Sequence, residues 1–247
     1  MKLRILGSNS SGNAYLLEGL KETLLLECGV HHKQIMQAVG FDLDPIVGCI
    51  VTHNHGDHFK WADGIAAYGI EIYGSHGTIK DKIGGKYGHR YNTVKAGVPF
   101  SVGGFSIYPF DVIHDADEPL GFIIQHEEAG KILFITDSSY SQYTFKGINH
   151  AIVEANHSEE YLRQQVLSGK MEYFVYKRLI DSHMSIETCE KMLLANNLTD
   201  VINIVLIHLS DSNSHEQNFK KVITEKTGKL VTVAQRGVDV NLSLSPF

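Results

Sequence analysis

The segment Thr52-His53-Asn54-His55-Gly56-Asp57-His58 packs four potential metal ligands into six residues, directly after the apolar run Gly48 to Val51. That run reads as a short buried strand, so the ligands sit where a strand ends. Side chains alternate along extended chain, which puts His53 and His55 on one side. Gly56 then turns the chain, and Asp57 and His58 aim at a second point. Imidazole suits zinc and its neighbours, and carboxylate accepts harder ions as well. The loop therefore predicts two cations a few ångströms apart, and a fold that brings further ligands to the same strand edge.

The rest of the chain is an ordinary globular background. Its 247 residues carry 43% hydrophobic and 20% charged side chains, which excludes a disordered chain. No apolar run approaches the roughly 18 residues of a membrane span, so no membrane partner is expected. The first residues turn polar too soon for a secretory signal. Cys28, Cys49 and Cys189 make no disulfide framework, and a reducing cytoplasm is the expected compartment. The formal charge of −6 argues against a protein coated in nucleic acid, but not against a local basic groove.

Short β-like runs open the chain at Leu3 to Leu6, Ala14 to Glu18 and Thr23 to Cys28, broken by glycines. Strands dominate up to Thr136. Helices are predicted for His31 to Val39, Lys60 to Ala67, Ser158 to Leu167, Ile186 to Ala195 and His215 to Thr227. Lys82 to His89 reads as a mobile Gly-rich loop. Within a basic stretch from Lys80 to Lys95, Tyr87 and Tyr91 are candidates to stack on bases. The whole chain, 1–247, reads as one domain without linkers or repeats.

The string His-x-His-x-Asp-His resembles the signature of the metallo-β-lactamase superfamily. The resemblance implies an α+β fold, a four-layer αββα sandwich. It also asks for a later His, a bridging Asp and a final His at strand ends. His114, Asp137 and His208 follow the strand-like runs Phe105 to Ile113, Ile132 to Thr136 and Val201 to Ile207, in that order. By resemblance His53, His55 and His114 hold one metal. Asp57, His58 and His208 hold the other, with Asp137 and a hydroxide bridging. The cofactors implied are two divalent ions, zinc or manganese, with iron also compatible.

Four further strings are similar to the YycJ/WalJ-type branch, small proteins regarded as nucleases. They are Leu6 to Asn13, Val153 to His157, Ser182-His183-Met184-Ser185 and His208 to Asn213. The branch usually has Asp where this chain has Glu27. His183 precedes a predicted helix start at Ser185, so it is a candidate catalytic acid or phosphate contact, with Asp57 the catalytic carboxylate. Ser11, Asn13, Asn156, His157, Ser212 and Asn213 are the remaining candidate substrate contacts.

The function expected is a dinuclear hydrolase in which the bridging hydroxide attacks a phosphodiester of DNA, RNA or a small molecule. The alternative is a thioester, lactone or other small-ester hydrolase of the same fold, since the seven ligands are shared. No obligate protein partner is evident.

Overall fold

Two seven-stranded sheets form from the alternating apolar runs, and the computed structural model describes them within residues 1–244. In the first sheet, β1 (Lys2–Asn9), β2 (Gly12–Glu18) and β3 (Thr23–Leu26) are antiparallel. They continue into β4 (Ile46–Ile50), β5 (Ile72–Gly74) and β6 (Tyr91–Thr93), which run parallel to β3. The second sheet starts antiparallel with β7 (Phe100–Val102), β8 (Phe105–Asp111), β9 (Leu120–His126) and β10 (Gly130–Ile135). From β10 it runs parallel through β11 (His150–Glu154), β12 (Asn203–Ile207) and β13 (Leu230–Val233). The closing strand β14 (Asp239–Asn241) returns to the first sheet beside β1.

Three apolar clusters mark three interfaces, and hence four layers. One joins the inner faces of both sheets through Tyr15, Leu17, Phe105, Phe122, Phe134 and Val205. A second packs the first sheet on α1 (His32–Ala38), α2 (Gly56–Phe59), α3 (Ala62–Ala66) and α4 (His76–Ile83) through Ile35, Phe59, Ile65 and Ile79. The third packs the second sheet on α7 (Ile186–Leu194) and α8 (Glu216–Thr227), using Cys189, Met192, Phe219 and Ile223. This is the αββα sandwich. Fully buried strands such as β12 read as continuous apolar runs because both faces are covered.

Local signals explain most element ends. Ser158 and Ser185 cap α5 (Glu159–Leu167) and α7, their hydroxyls accepting from Tyr161 N and Thr188 N. Gly228 ends α8 at φ 65°. Three sequence expectations change. The helix expected over Lys60 to Ala67 is the shorter α3, and a separate short helix, α2, precedes it inside the histidine loop. The stretch read as a mobile loop at Lys82 begins as the end of α4, which Ser75 caps. And α6 (Tyr173–Ser182) is an additional helix, whose apolar residues Val175, Tyr176, Leu179 and Ile180 are only half-buried. The cysteines are free and buried, and no helix among the described residues is long and apolar enough to cross a membrane.

One buried histidine far down β11 gives the fold an acid-sensitive lock. His150 is fully buried and faces Asn203 on β12, whose side-chain amide donates to its Nδ1 at 3.3 Å. That bond needs a neutral ring, and burial pushes the pKa of His150 down to about 4. The unfolded chain takes up this proton near pH 6.5 and the folded chain near pH 4. Stability is therefore complete above about pH 6.5 and falls as pH drops through that window, by on the order of 3 kcal/mol from this group. Urea melts between pH 7 and 4 should show the loss, and His150→Gln should shrink it. An identical acid dependence in the variant would contradict the assignment.

Candidate metal centre

The candidate ligands sit beyond the C-terminal ends of strands, with Asp57 and His58 carried on α2 after β4, and parallel strands deliver their ends to one edge. Leu26 ends β3 and is followed by Glu27; β4 runs into Thr52 and His53; β10 runs into Asp137; β12 runs into His208. β8, parallel to β10 through the intervening antiparallel β9, leads to His114. The backbone turns sharply at these ends. Glu27, Asp137 and His208 have φ of 63°, 47° and 54°, a left-handed region that side chains of this kind rarely occupy. Such conformations cost on the order of 1–3 kcal/mol each and persist where surrounding structure imposes them.

Three overlapping ligand groups share Asp137; the third, Asp137, Glu154, His183 and His208, lies beside the two that match the expected sets. His53, His55, His114 and Asp137 form one; Asp57, His58, Asp137 and His208 form the other, with ligand atoms inside each group within 4.8 Å of one another. In the first, His114 Nε2 lies 3.1 Å from His55 Nδ1 and 3.8 Å from Asp137 Oδ2, and His53 Nε2 lies 3.5 Å from the same oxygen. In the second, His58 Nε2 lies 3.3 Å from Asp57 Oδ2 and 3.0 Å from Asp137 Oδ2, and His208 Nε2 lies 3.3 Å from Asp57 Oδ2. Ligands about 2.1 Å from a tetrahedral cation stand roughly 3.4 Å apart, so both spacings fit. The buried His53 Nε2 has no hydrogen-bond partner among the described residues, which a cation would supply.

Outer contacts fix which nitrogen faces inward. The Ser182 carbonyl accepts from His114 Nδ1 at 2.8 Å, leaving Nε2 free. His53 Nδ1 rests 3.0 Å from the Thr52 hydroxyl. Glu27 accepts from Thr52 N at 3.2 Å and stands 3.5 Å from His58 Nδ1, so its extra methylene still reaches the loop. Gly29 permits this packing. A Cβ there would sit 1.6 Å from the Asp57 carbonyl oxygen.

The electrostatics are those of buried carboxylates among rings. Burial alone would raise Asp137, but the rings of His208 and His58 hold it well below the usual carboxylate range. Burial opposes charge on His58 and His208 too, yet the Asp137 carboxylate raises both well above the ordinary histidine value. His53 goes the other way, since burial dominates and lowers it.

Glu154 is the central residue that the sequence reading passed over. It ends β11, is fully buried, and its Oε1 accepts from His183 Nδ1 at 2.8 Å and His208 Nδ1 at 2.9 Å. Its Oε2 accepts from Ser138 N at 3.1 Å and Met184 N at 2.9 Å. With all four bonds made, it anchors two histidines. The signal was present as an acid closing a wholly apolar strand, Ala151-Ile152-Val153-Glu154. His183 itself reaches the centre with a side chain 20% exposed, and the Glu154 carboxylate overcomes burial to raise its pKa.

The structure places the expected substrate contacts in two sets, buried and exposed. Asn13, Asn156 and His157 are buried and offer no surface. Asn13 Nδ2 lies 3.0 Å from His58 Nε2, and Asn156 Nδ2 donates to the His208 carbonyl at 2.9 Å, so both brace ligands. Asn213 is turned onto Ser210, its amide donating to that hydroxyl at 3.1 Å. Ser212 is exposed beside it, and Ser11 is exposed on the turn between β1 and β2. The basic stretch is only partly paired. Lys80 pairs with Asp117, Lys82 with Asp63 and Arg90 with Glu71, while the Tyr91 hydroxyl donates to Asp63.

A double ligand set at the edge of an αββα sandwich defines a metallohydrolase class of site. The chain belongs to the family described as beta-lactamase superfamily domain, whose model matches residues 23–209. It is 28% identical to Exodeoxyribonuclease WalJ of Streptococcus pneumoniae, over 98% of this chain and 93% of that protein. It is also 28% identical to Exodeoxyribonuclease YycJ of Bacillus anthracis, over 90% and 89%. Among solved structures it resembles the metallo-β-lactamase fold protein YhfI from Bacillus subtilis, with TM-score 0.73 and 17% identity over 97% of this chain and 98% of that one. Human tRNase Z, short form, aligns with TM-score 0.65 and 17% identity over 98% and 99%.

Removing the Glu154 charge should loosen His208 and His183 together. Glu154→Gln should lower metal affinity about 10- to 100-fold, read as metal retained during dialysis against graded chelator, with far-ultraviolet dichroism unchanged. Wild-type retention would contradict the anchoring role.

Proposed function

We propose that this protein is a metal-dependent phosphodiesterase acting on DNA from an end. The observation that carries the reading is the pair of ligand groups meeting at Asp137, with His183 poised beside them. His53, His55 and His114 would hold one cation and Asp57, His58 and His208 the other, with Asp137 common to both. Two divalent ions there supply an acidified water and positive charge for phosphoryl oxygens.

The chain's own residues add orientation and proton supply. Glu154 fixes the His183 ring through Nδ1 and favours its charged form. The other ring nitrogen is then a proton donor for the departing sugar oxygen. Asp57 keeps its negative charge because His208 and His58 hold its carboxyl far below the usual range, against the effect of burial. Thioester and lactone hydrolysis would use the same ligands, but the exodeoxyribonuclease names of the relatives and the tRNase Z likeness support chemistry at phosphorus.

End-labelled single-stranded DNA with Mn²⁺ or Zn²⁺ tests the reading. The wild type should shorten the strand progressively, and Asp57→Ala, purified in parallel, should not. Intact DNA with wild-type protein of confirmed metal content would overturn it. His183→Ala separates proton donation from metal binding. It should cut DNA cleavage by about 10²–10⁴ while sparing a p-nitrophenyl phosphodiester, whose leaving group needs no proton. Equal losses on both substrates would rule out the acid role.

A further inference from the structure

A groove of about 990 Å³ is walled by residues that neighbour the second ligand group in the chain, and no role has been given to it above. Its walls are the chain neighbours of three ligands. Lys60 and Trp61 follow His58, Leu209 follows His208, and Gly29 packs on the Asp57 backbone. Ser8, also on the wall, accepts from His208 N at 3.0 Å. The groove therefore lies beside the centre, although no ligand side chain lines it, and its volume is at the upper end of the roughly 300–1,000 Å³ of small-molecule sites. A segment of chain suits it better than a single compact metabolite.

We propose that this groove is the subsite for single-stranded DNA next to the scissile phosphate, with Trp61 as the base platform and Lys60 and Arg236 as the phosphate contacts. The proposal rests on the phosphodiesterase reading. The Trp61 ring meets the His31 ring at a tilt of 42° with a centroid separation of 3.9 Å, the Lys60 ammonium stands 5.7 Å from the Trp61 centroid, and all three residues line the groove. Aromatic platforms of this kind accept any base, because every base has a π-face. A duplex would keep its bases stacked on one another, so the platform selects an unpaired strand. Lys60 and Arg236 are exposed on the walls and pair with no carboxylate among the described residues. The carboxylate of Glu216 also lines the groove, but it accepts from the Gln235 amide and sits in the first turn of α8, where the positive helix end offsets it. Asp211 remains the one unoffset acid named on the wall. Ser11 faces the same space, which gives the exposed turn between β1 and β2 a place beside the strand.

Trp61 is the only tryptophan of the chain, so its fluorescence reports on this wall alone. The experiment titrates the full chain, kept non-cleaving with chelator, with an eight-residue oligothymidylate. Fluorescein-labelled oligonucleotide gives affinities for the variants by anisotropy. Saturable quenching of Trp61 is expected. Trp61→Ala should weaken binding about tenfold. Lys60→Ala and Arg236→Ala should each flatten the log–log salt dependence by about 0.7. Tight binding with no quenching, and with unchanged affinity in Trp61→Ala and Arg236→Ala, would send the strand elsewhere and overturn the proposal while leaving the nuclease reading intact. Absence of oligonucleotide binding would also overturn it. Cleavage by the metal-loaded wild type then decides separately whether the phosphodiesterase reading falls.

Discussion

The Asp137 carboxylate is the interaction on which the site depends. It is buried at the end of β10, in a left-handed backbone conformation, with five histidine rings, His53, His58, His114, His183 and His208, within 4 Å of its oxygens. A buried carboxylate of this kind is costly unless positive charge surrounds it. The strands supply that charge from both sheets at once. The sandwich thus does more than cover apolar surface. It sets strand ends from distant parts of the chain at hydrogen-bond distance of one another.

Support for the ligands is layered outward in the same way. Glu27 backs the loop from the first sheet, and Glu154 backs His208 and His183 from the second. Asn13 and Asn156 fill the gaps beneath the ligand backbones. These groups have no freedom to touch a substrate, and their rigidity explains how ligands on loops keep fixed positions. A shift in any of them moves a ligand rather than a solvent-facing side chain, which is why the outer residues matter to metal retention.

The ligand loop, the three later strand ends and the caps Ser158 and Ser185 were legible because each is written in a few adjacent residues. The four-layer sandwich followed from the resemblance carried by His53 to His58 and is the architecture observed. What could not be read was burial direction. Asn13, Asn156 and His157 look like site residues in a string, yet folding turns them inward. Glu154 shows the converse. A single acid ending an apolar strand means little until β12 and α7 bring His208 and His183 to it. The pairing within the basic stretch could not be read for a similar reason, since Asp63, Glu71 and Asp117, which hold Lys82, Arg90 and Lys80, are distant in sequence. The groove beside Trp61 is assembled from five separate segments, so no local pattern announces it.

The central claim is that Asp137 joins two cation sites into one centre. Its most direct test is metal content per chain, measured by elemental analysis after loading with zinc or manganese and removal of excess ion. The account predicts two ions for each wild-type chain, and a loss from both sites together in Asp137→Asn. A single ion in the wild type, or two ions retained unchanged in the variant, would contradict it.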